Sequence, residues 1–295
     1  MPLVATLIAD PETRTLDAAL ARDVVAALGA PQVDWLAEMI ACDIVLPQNL
    51  DAVTARTILA EMLSGLPVDH AVQEAETRRK KVLIADMDST MIGQECIDEL
   101  ADEAGFREQV SAITARAMNG EIEFEPALRE RVALLKGLPV GIIDKVIAER
   151  ITLAPGGREL VATMRANGGY AVLVSGGFTR FAGPIAERLG FDEFAANVLE
   201  ETEGFFDGTV AEPILGKQAK VDALQRVARE RGFSPADFIA VGDGANDLAM
   251  LAIAGSGVAL HAKPTVAAQA RIRIDHGDLT ALLYLQGYRQ SGFAA

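Results

Sequence analysis

Cysteine is nearly absent: 295 residues carry two, Cys42 and Cys96, far apart and without metal-ligand spacing. That excludes a disulfide framework or a thiolate metal site and fits a reducing compartment. Aromatic residues make up 5% of the chain, with Trp35 the single tryptophan, read as domain core. The three histidines, His70, His261 and His276, are isolated and show no ligand spacing, which favours core or surface roles over catalysis. Positive charge is also scarce, with 27 basic against 42 acidic residues and a net charge of −15. No broad nucleic-acid or anionic-membrane surface is available, so an anionic ligand must be met by a local group of cations. Long apolar runs are missing as well. The longest charge-free stretch, Leu248 to Ala262, is too short and too glycine-containing to span a bilayer. The N-terminus has no basic leader and carries Asp10 and Glu12, against a secretory signal. The expectation is a cytoplasmic protein that works on a small molecule.

Half of the residues are hydrophobic, enough for a sizeable core, and the length calls for two domains or one with an insertion. Apolar periodicity predicts a strand at 3–9, a helix at 15–28, strands at 32–38 and 42–47, a helix at 51–64 and a strand at 67–74. That β-α-β-β-α-β order is the ferredoxin-like pattern. The charged stretch Glu76 to Lys81 reads as a linker, placing a domain at 1–78 and a second at 79–295. In the second, the apolar runs Val82–Ala85, Tyr170–Val174, Phe238–Val241 and Gly257–Leu260 alternate with helical patterns. Such alternation predicts a doubly wound parallel α/β sheet. Some sixty residues between the first of these strands and Thr152 have helical periodicity and no strand signal, too many for a loop. They predict a helical cap inserted at about 93–152, with Gly93 and Pro155-Gly156-Gly157 as hinges.

Four features carry chemistry. Asp86-Met87-Asp88-Ser89-Thr90 puts two carboxylates at the carboxyl edge of the first core strand, where open α/β folds bind ligands. Side chains at i and i+2 share a face of a strand, so the pair repels and calls for a cation or a shared proton. Gly242-Asp243-Gly244-Ala245-Asn246-Asp247 ends another apolar run in acids. Oxygens of Asp86 and Asp243, a main-chain carbonyl and waters suit Mg²⁺. Ser175-Gly176-Gly177 follows a third strand; glycine amides, a helix N-terminus and the Ser175 hydroxyl there suit a phosphate. Lys220 opens an amphipathic run one helix and one strand before Asp243, from where it could reach a phosphoryl oxygen and a carboxylate together. Lys217 competes with it on spacing alone. Taken singly, each has a plainer reading as a cap, a turn or a solvated charge.

Taken in order, D-x-D-S-T, S-G-G, a helix-initial lysine and G-D-G-x-N-D resemble the haloacid-dehalogenase superfamily of phosphatases, over about Lys81 to Asp278. The resemblance implies a Rossmann-like core with Asp86 as nucleophile, Asp88 as acid and base, Lys220 as the catalytic lysine in preference to Lys217, and Asp86, Asp88 and Asp243 around Mg²⁺. Gly216 and its neighbours depart from the acidic residue that many relatives carry before the lysine. Within that superfamily, Glu95 and then Met118, Phe124 and Arg131 in A-M-N-G-E-I-E-F-E-P-A-L-R-E-R-V resemble the phosphoserine phosphatases. A phosphorylated amino acid carries an ammonium and a carboxylate besides its phosphoryl group, and these residues offer an acid, a base and an apolar wall. Plainer roles for them are a first-turn acid, core and an exposed helix charge.

The resemblance implies hydrolysis of O-phospho-L-serine through an aspartyl-phosphate, the last step of serine biosynthesis. Ser175, Gly176 and Asn246 would hold the phosphate, and Asp247 would orient the metal shell. The cap would close over the substrate. The N-terminal region resembles a degenerate amino-acid-binding domain of the ACT type by element order and placement, which implies serine as a feedback ligand; a homodimerisation unit is the plainer reading. Rival functions are hydrolysis of another small phosphomonoester, phosphate transfer to an alcohol such as homoserine, and a non-catalytic amino-acid sensor.

Overall fold

The computed structural model describes residues 1–118 and 121–294, without the side chain of Met118. Leu3–Ala9 (β1), Ala18–Ala27 (α1), Asp34–Ala37 (β2), Ala41–Val45 (β3), Ala52–Met62 (α2) and Val68–Glu74 (β4) come first. They form an antiparallel sheet of order β2-β3-β1-β4, as the element order predicts. Each helix starts at an aspartate whose side chain accepts from two orphan amides: Asp17 from Ala19 and Leu20, Asp51 from Val53 and Thr54. Alternation along β1 and β3 turns Ala5, Leu7, Cys42 and Ile44 to one face, where they pack with Val24 and Leu59 of the helices.

The remainder runs Val82–Ala85 (β5), Cys96–Glu103 (α3), Arg107–Met118 (α4), Phe124–Ala133 (α5), Ile142–Glu149 (α6), Gly157–Ala166 (α7), Tyr170–Phe178 (β6), Thr179–Leu189 (α8) and Glu193–Asn197 (β7). Leu199–Thr202 (β8), Phe205–Val210 (β9), Lys217–Arg231 (α9), Phe238–Gly242 (β10), Leu248–Ile253 (α10), Ser256–Leu260 (β11), Pro264–Ala267 (α11), Ile272–Ile274 (β12) and Ala281–Leu285 (α12) complete it. Six strands make a parallel sheet of order β12-β11-β10-β5-β6-β7. Both faces are covered, so β5 is apolar throughout: Val82 and Ile84 meet Leu224 and Val227 of α9, while Leu83 and Ala85 join the cluster that contains Leu160 and Met164 of α7. The chain leaves β5 toward β6 on one side and returns as β10 on the other, which makes the carboxyl end of β5 the topological switch point.

The predicted cap is α3 to α6. Its two stems are joined: Ile92 and Leu153 form a bridge, the Gly93 amide donates to the Thr152 carbonyl at 3.0 Å, and the Gln94 side chain exchanges two 2.9 Å bonds with Thr152. Gly156, expected within a hinge, forms a tight left-handed corner. Its φ is +76°, and a Cβ there would lie 2.6 Å from the Thr280 amide nitrogen.

Several expectations change. The Glu76–Lys81 stretch is pinned rather than a free linker. Arg78 pairs with Asp43 at 2.6 Å, Lys80 Nζ donates to the carbonyls of Thr77 and Ala236, and the Arg79 guanidinium lies over the Tyr288 ring. Asp69 further ties the N-terminal sheet down by accepting from the amides of Asp275, His276 and Gly277. Strands β7, β8, β9 and β12 have no counterpart in the sequence reading. β12 is three residues long, and β8 and β9 form a largely exposed hairpin against the 137–140 turn of the cap. Ser175-Gly176-Gly177 lies within β6 and not at a helix start. The strand continues to Phe178, its pairing with β7 breaks register after Val174, and α8 begins at Thr179. No helix among the described residues is long and apolar enough to cross a membrane.

Candidate active site

Parallel register aligns the acids. Val241 of β10 stands opposite Ala85 of β5, so the next residues outward on the two strands are Gly242 and Asp86, with Asp243 one step beyond. Gly242 is required here, because a Cβ on it would come within 2.5 Å of the Asp247 carboxylate. The Asp247 side chain therefore folds back under the strand end, fully buried, and accepts from the Gly244 amide at 3.0 Å.

Lys220, 2% exposed on the first turn of α9, places Nζ 2.7 Å from Asp86 Oδ1 and 2.5 Å from Asp247 Oδ1. Burial works against its charge, but the carboxylates of Asp86 and Asp247 outweigh burial and hold the ammonium above its ordinary pKa. Lys217, the competing lysine, is exposed. Asp86 Oδ1 also accepts from the Met87 amide at 2.8 Å. Asp86, Asp243 and Asp247 bring one oxygen each to within 4.8 Å of one another. Burial, reinforced by Asp86, raises the carboxyl groups of Asp243 and Asp247.

This triad has one ammonium for three carboxylates, so its donor set fits a hard divalent cation. The side chain of Asp88, expected among the metal ligands, is not in it. That carboxylate turns the other way, accepting from the Cys96 amide at 2.9 Å and from the Ser175 hydroxyl at 3.3 Å. Burial pushes it up to about 7, with Glu95 and Asp86 adding to the effect. A carboxyl near neutrality can both give and take a proton.

A cavity of about 250 Å³ opens above these groups. Ser175 is buried and accepts from the Gly177 amide at 2.8 Å. The Gly176 carbonyl is held by Asn197 Nδ2 at 2.8 Å, and Gly176 and Asn246 face the cavity. Glu95 caps α3 by position but makes no capping bond. Instead it accepts from Ser89 Oγ at 2.8 Å and lines the cavity, where burial raises its carboxyl. Arg131 also lines it, donating from Nε to the Ala127 carbonyl at 3.2 Å; burial lowers its guanidinium, opposed by Asp98 and Glu95. Phe124, 40% exposed, stands over Gly176 and Gly216. Met118 closes α4, and its side chain is outside the described residues.

The sequence reading missed Ile97 and Leu128, which widen the apolar wall, Thr90, whose hydroxyl donates to Asp243 at 3.2 Å, and Lys263 at the rim. Lys263 follows β11 by three residues, so the strand-end argument that singled out Asp243 would have found it.

An aspartate at the switch point of a parallel sheet, joined to a buried lysine and an acidic triad under an inserted cap, defines a hydrolase class. The haloacid dehalogenase-like hydrolase model matches residues 83–252, and the chain belongs to that family. Within it, the phosphoserine phosphatase of Polaromonas sp. (strain JS666 / ATCC BAA-500) is 44% identical over 230 residues, 76% of this chain and 98% of the relative. A probable phosphoserine phosphatase from Vibrio cholerae, solved unliganded, superposes with a TM-score of 0.79 at 32% identity, covering 99% of this chain and 88% of that one. A phosphoserine phosphatase solved as a phospho-aspartyl intermediate analogue is 41% identical, with a TM-score of 0.64 over 70% of this chain and 98% of that one.

Proposed function

We propose that this enzyme hydrolyses O-phospho-L-serine to L-serine and phosphate through an aspartyl-phosphate on Asp86. The observation that carries the reading is the placement of Asp86, fixed by Lys220, at the floor of a cavity whose cap side presents Glu95, Arg131 and Phe124. Glu95 takes the substrate ammonium, Arg131 its carboxylate, and Phe124 closes the apolar side. That set selects a zwitterion over a plain phosphate ester.

Asp86 attacks phosphorus in line, and the P–O bond to the serine oxygen breaks as Asp88 protonates that oxygen. The same Asp88 then takes a proton from water, whose oxygen attacks the aspartyl-phosphate and returns Asp86 as a carboxylate. Ser175, the Gly176 amide and Lys220 stabilise the equatorial oxygens, and Asn246 orients the group. Asp86, Asp243 and Asp247 would hold Mg²⁺ with a main-chain carbonyl and waters, and its charge, when bound, neutralises the phosphoryl oxygens. Residues 1–78 are read as a regulatory domain of ACT-like order, with serine as its ligand and a homodimer as its assembly. Serine inhibition that is purely competitive, in a protein monomeric by light scattering, would remove that role.

Phosphate release from L-phosphoserine with Mg²⁺ or with EDTA, beside phosphothreonine, phosphohomoserine and simple phosphomonoesters, tests the function. The expected result is metal-dependent release with a kcat/KM for L-phosphoserine at least about tenfold above the simple phosphomonoesters, which lack the ammonium and carboxylate and so forfeit at least one well-placed ion pair. Equal rates across the panel would discard the substrate and keep the chemistry.

A further inference from the structure

Four carboxyl groups line the active-site cavity, those of Asp86, Asp88, Glu95 and Asp243, and Asp247 lies beneath them. Of the three cations that face these acids, two have partners within the protein. Lys220 is clamped between Asp86 and Asp247, and Arg131 is held to its own helix on the cap. The third, Lys263, has no ion pair among the described residues, although its charge works against the burial that raises Glu95 on the cap stem and Asp243 on the sheet edge. Its main chain is fixed. The Lys263 amide donates to the Asp243 carbonyl at 3.3 Å, its carbonyl accepts from Val266 and Ala267, and Pro264 follows. The side chain thus rises from the sheet edge that carries Asp86 and Asp243, exposed to solvent and lining the cavity.

A phosphomonoester reaches neutral pH close to a dianion, and an acid-lined cavity opposes its approach unless a cation stands at the mouth. Given the substrate reading above, on which this rests, we infer that Lys263 is a substrate-binding residue whose ammonium takes a phosphoryl oxygen of the ester. Its backbone bond to Asp243 roots it on the sheet edge that carries Asp86, where the phosphoryl group is attacked, whereas Arg131 stands on the cap. A compact ammonium suits a group that must be met as a point charge from several approach angles.

The test compares wild type, Lys263→Met and Lys263→Arg in L-phosphoserine turnover, in inhibition by inorganic phosphate and by L-serine, and at three ionic strengths. Lys263→Met should raise KM and the inhibition constant of inorganic phosphate by about tenfold, the size of one charge-assisted contact, more than it lowers kcat. The L-serine constant should stay within about twofold, because serine lacks the phosphoryl group. The fall of kcat/KM with salt should flatten in the same variant. Lys263→Arg should recover most of the phosphate affinity. An unchanged phosphate constant, or a serine constant weakened as much as that of phosphate, would overturn the assignment. If the wild type did not hydrolyse phosphoserine, the substrate reading would fall, and calorimetric binding of inorganic phosphate to wild type and Lys263→Met would still decide the role of Lys263.

Discussion

At the scale of single residues, Lys220 and Asp86 depend on each other in unequal ways. Among the described residues the buried ammonium is the only cation paired with Asp86 and Asp247, so Lys220→Met leaves two carboxylates facing each other out of water. Turnover should fall at least about a thousandfold, as for loss of a preorganised charge at a developing oxyanion. Stability in EDTA should drop by about 3 kcal/mol, the low end for breaking a buried pair. Asp86→Asn should abolish phosphate release yet leave stability in EDTA within about 1 kcal/mol of wild type, because it removes one of the repelling acids and keeps the Lys220–Asp247 pair. Urea unfolding of both variants beside a phosphate-release assay checks this. Equal destabilisation would show that the ammonium is not what balances the triad.

At the scale of elements, a backbone corner matters more than a side chain. Gly156→Ala forces a Cβ onto the Thr280 amide, whereas Gly168→Ala shares the left-handed φ but meets nothing within 4 Å. The second substitution should cost about 1 kcal/mol, the usual penalty of that conformation, and the first roughly 3 kcal/mol or more. Urea midpoints of the two variants separate strain from collision. Legibility followed the same physics. Strands flanked on both faces, such as β5 and β10, announce themselves as apolar runs, and acids at their ends reveal the catalytic edge. Edge strand β12, three residues with an exposed arginine at its centre, and the polar hairpin β8-β9 carry no such signal. Ser175-Gly176-Gly177 reads as a strand end because its glycines look like a turn; only the resumed pairing of Phe178 with Asn197 shows the strand continuing. The resemblance implies Asp88 as a ligand, but a motif does not show that the Cys96 amide holds its carboxylate to the other side.

At the scale of the whole molecule, the acidic cluster couples folding to a divalent cation. The triad is preformed in the folded chain and absent from an unfolded one, so a cation that binds it stabilises the fold by mass action. Mg²⁺ at about one hundred times its dissociation constant should raise stability by about 2.7 kcal/mol. Thermal unfolding with Mg²⁺ and with EDTA measures this. The increment should shrink to near zero in Asp243→Asn, and an unchanged increment would place the cation elsewhere.

The pairing of Ile92 with Leu153 brings the two ends of a sixty-residue excursion to one point on the sheet rim. Chain path and catalytic edge are therefore topologically separable: a short turn could close the same gap without moving β5 or β6. Such a segment is a cassette, free to diverge or be exchanged while the machinery beneath it stays constant. Grafting the 93–152 segment of a relative onto this core should transfer choice of substrate and leave the bond-breaking steps to residues outside that segment.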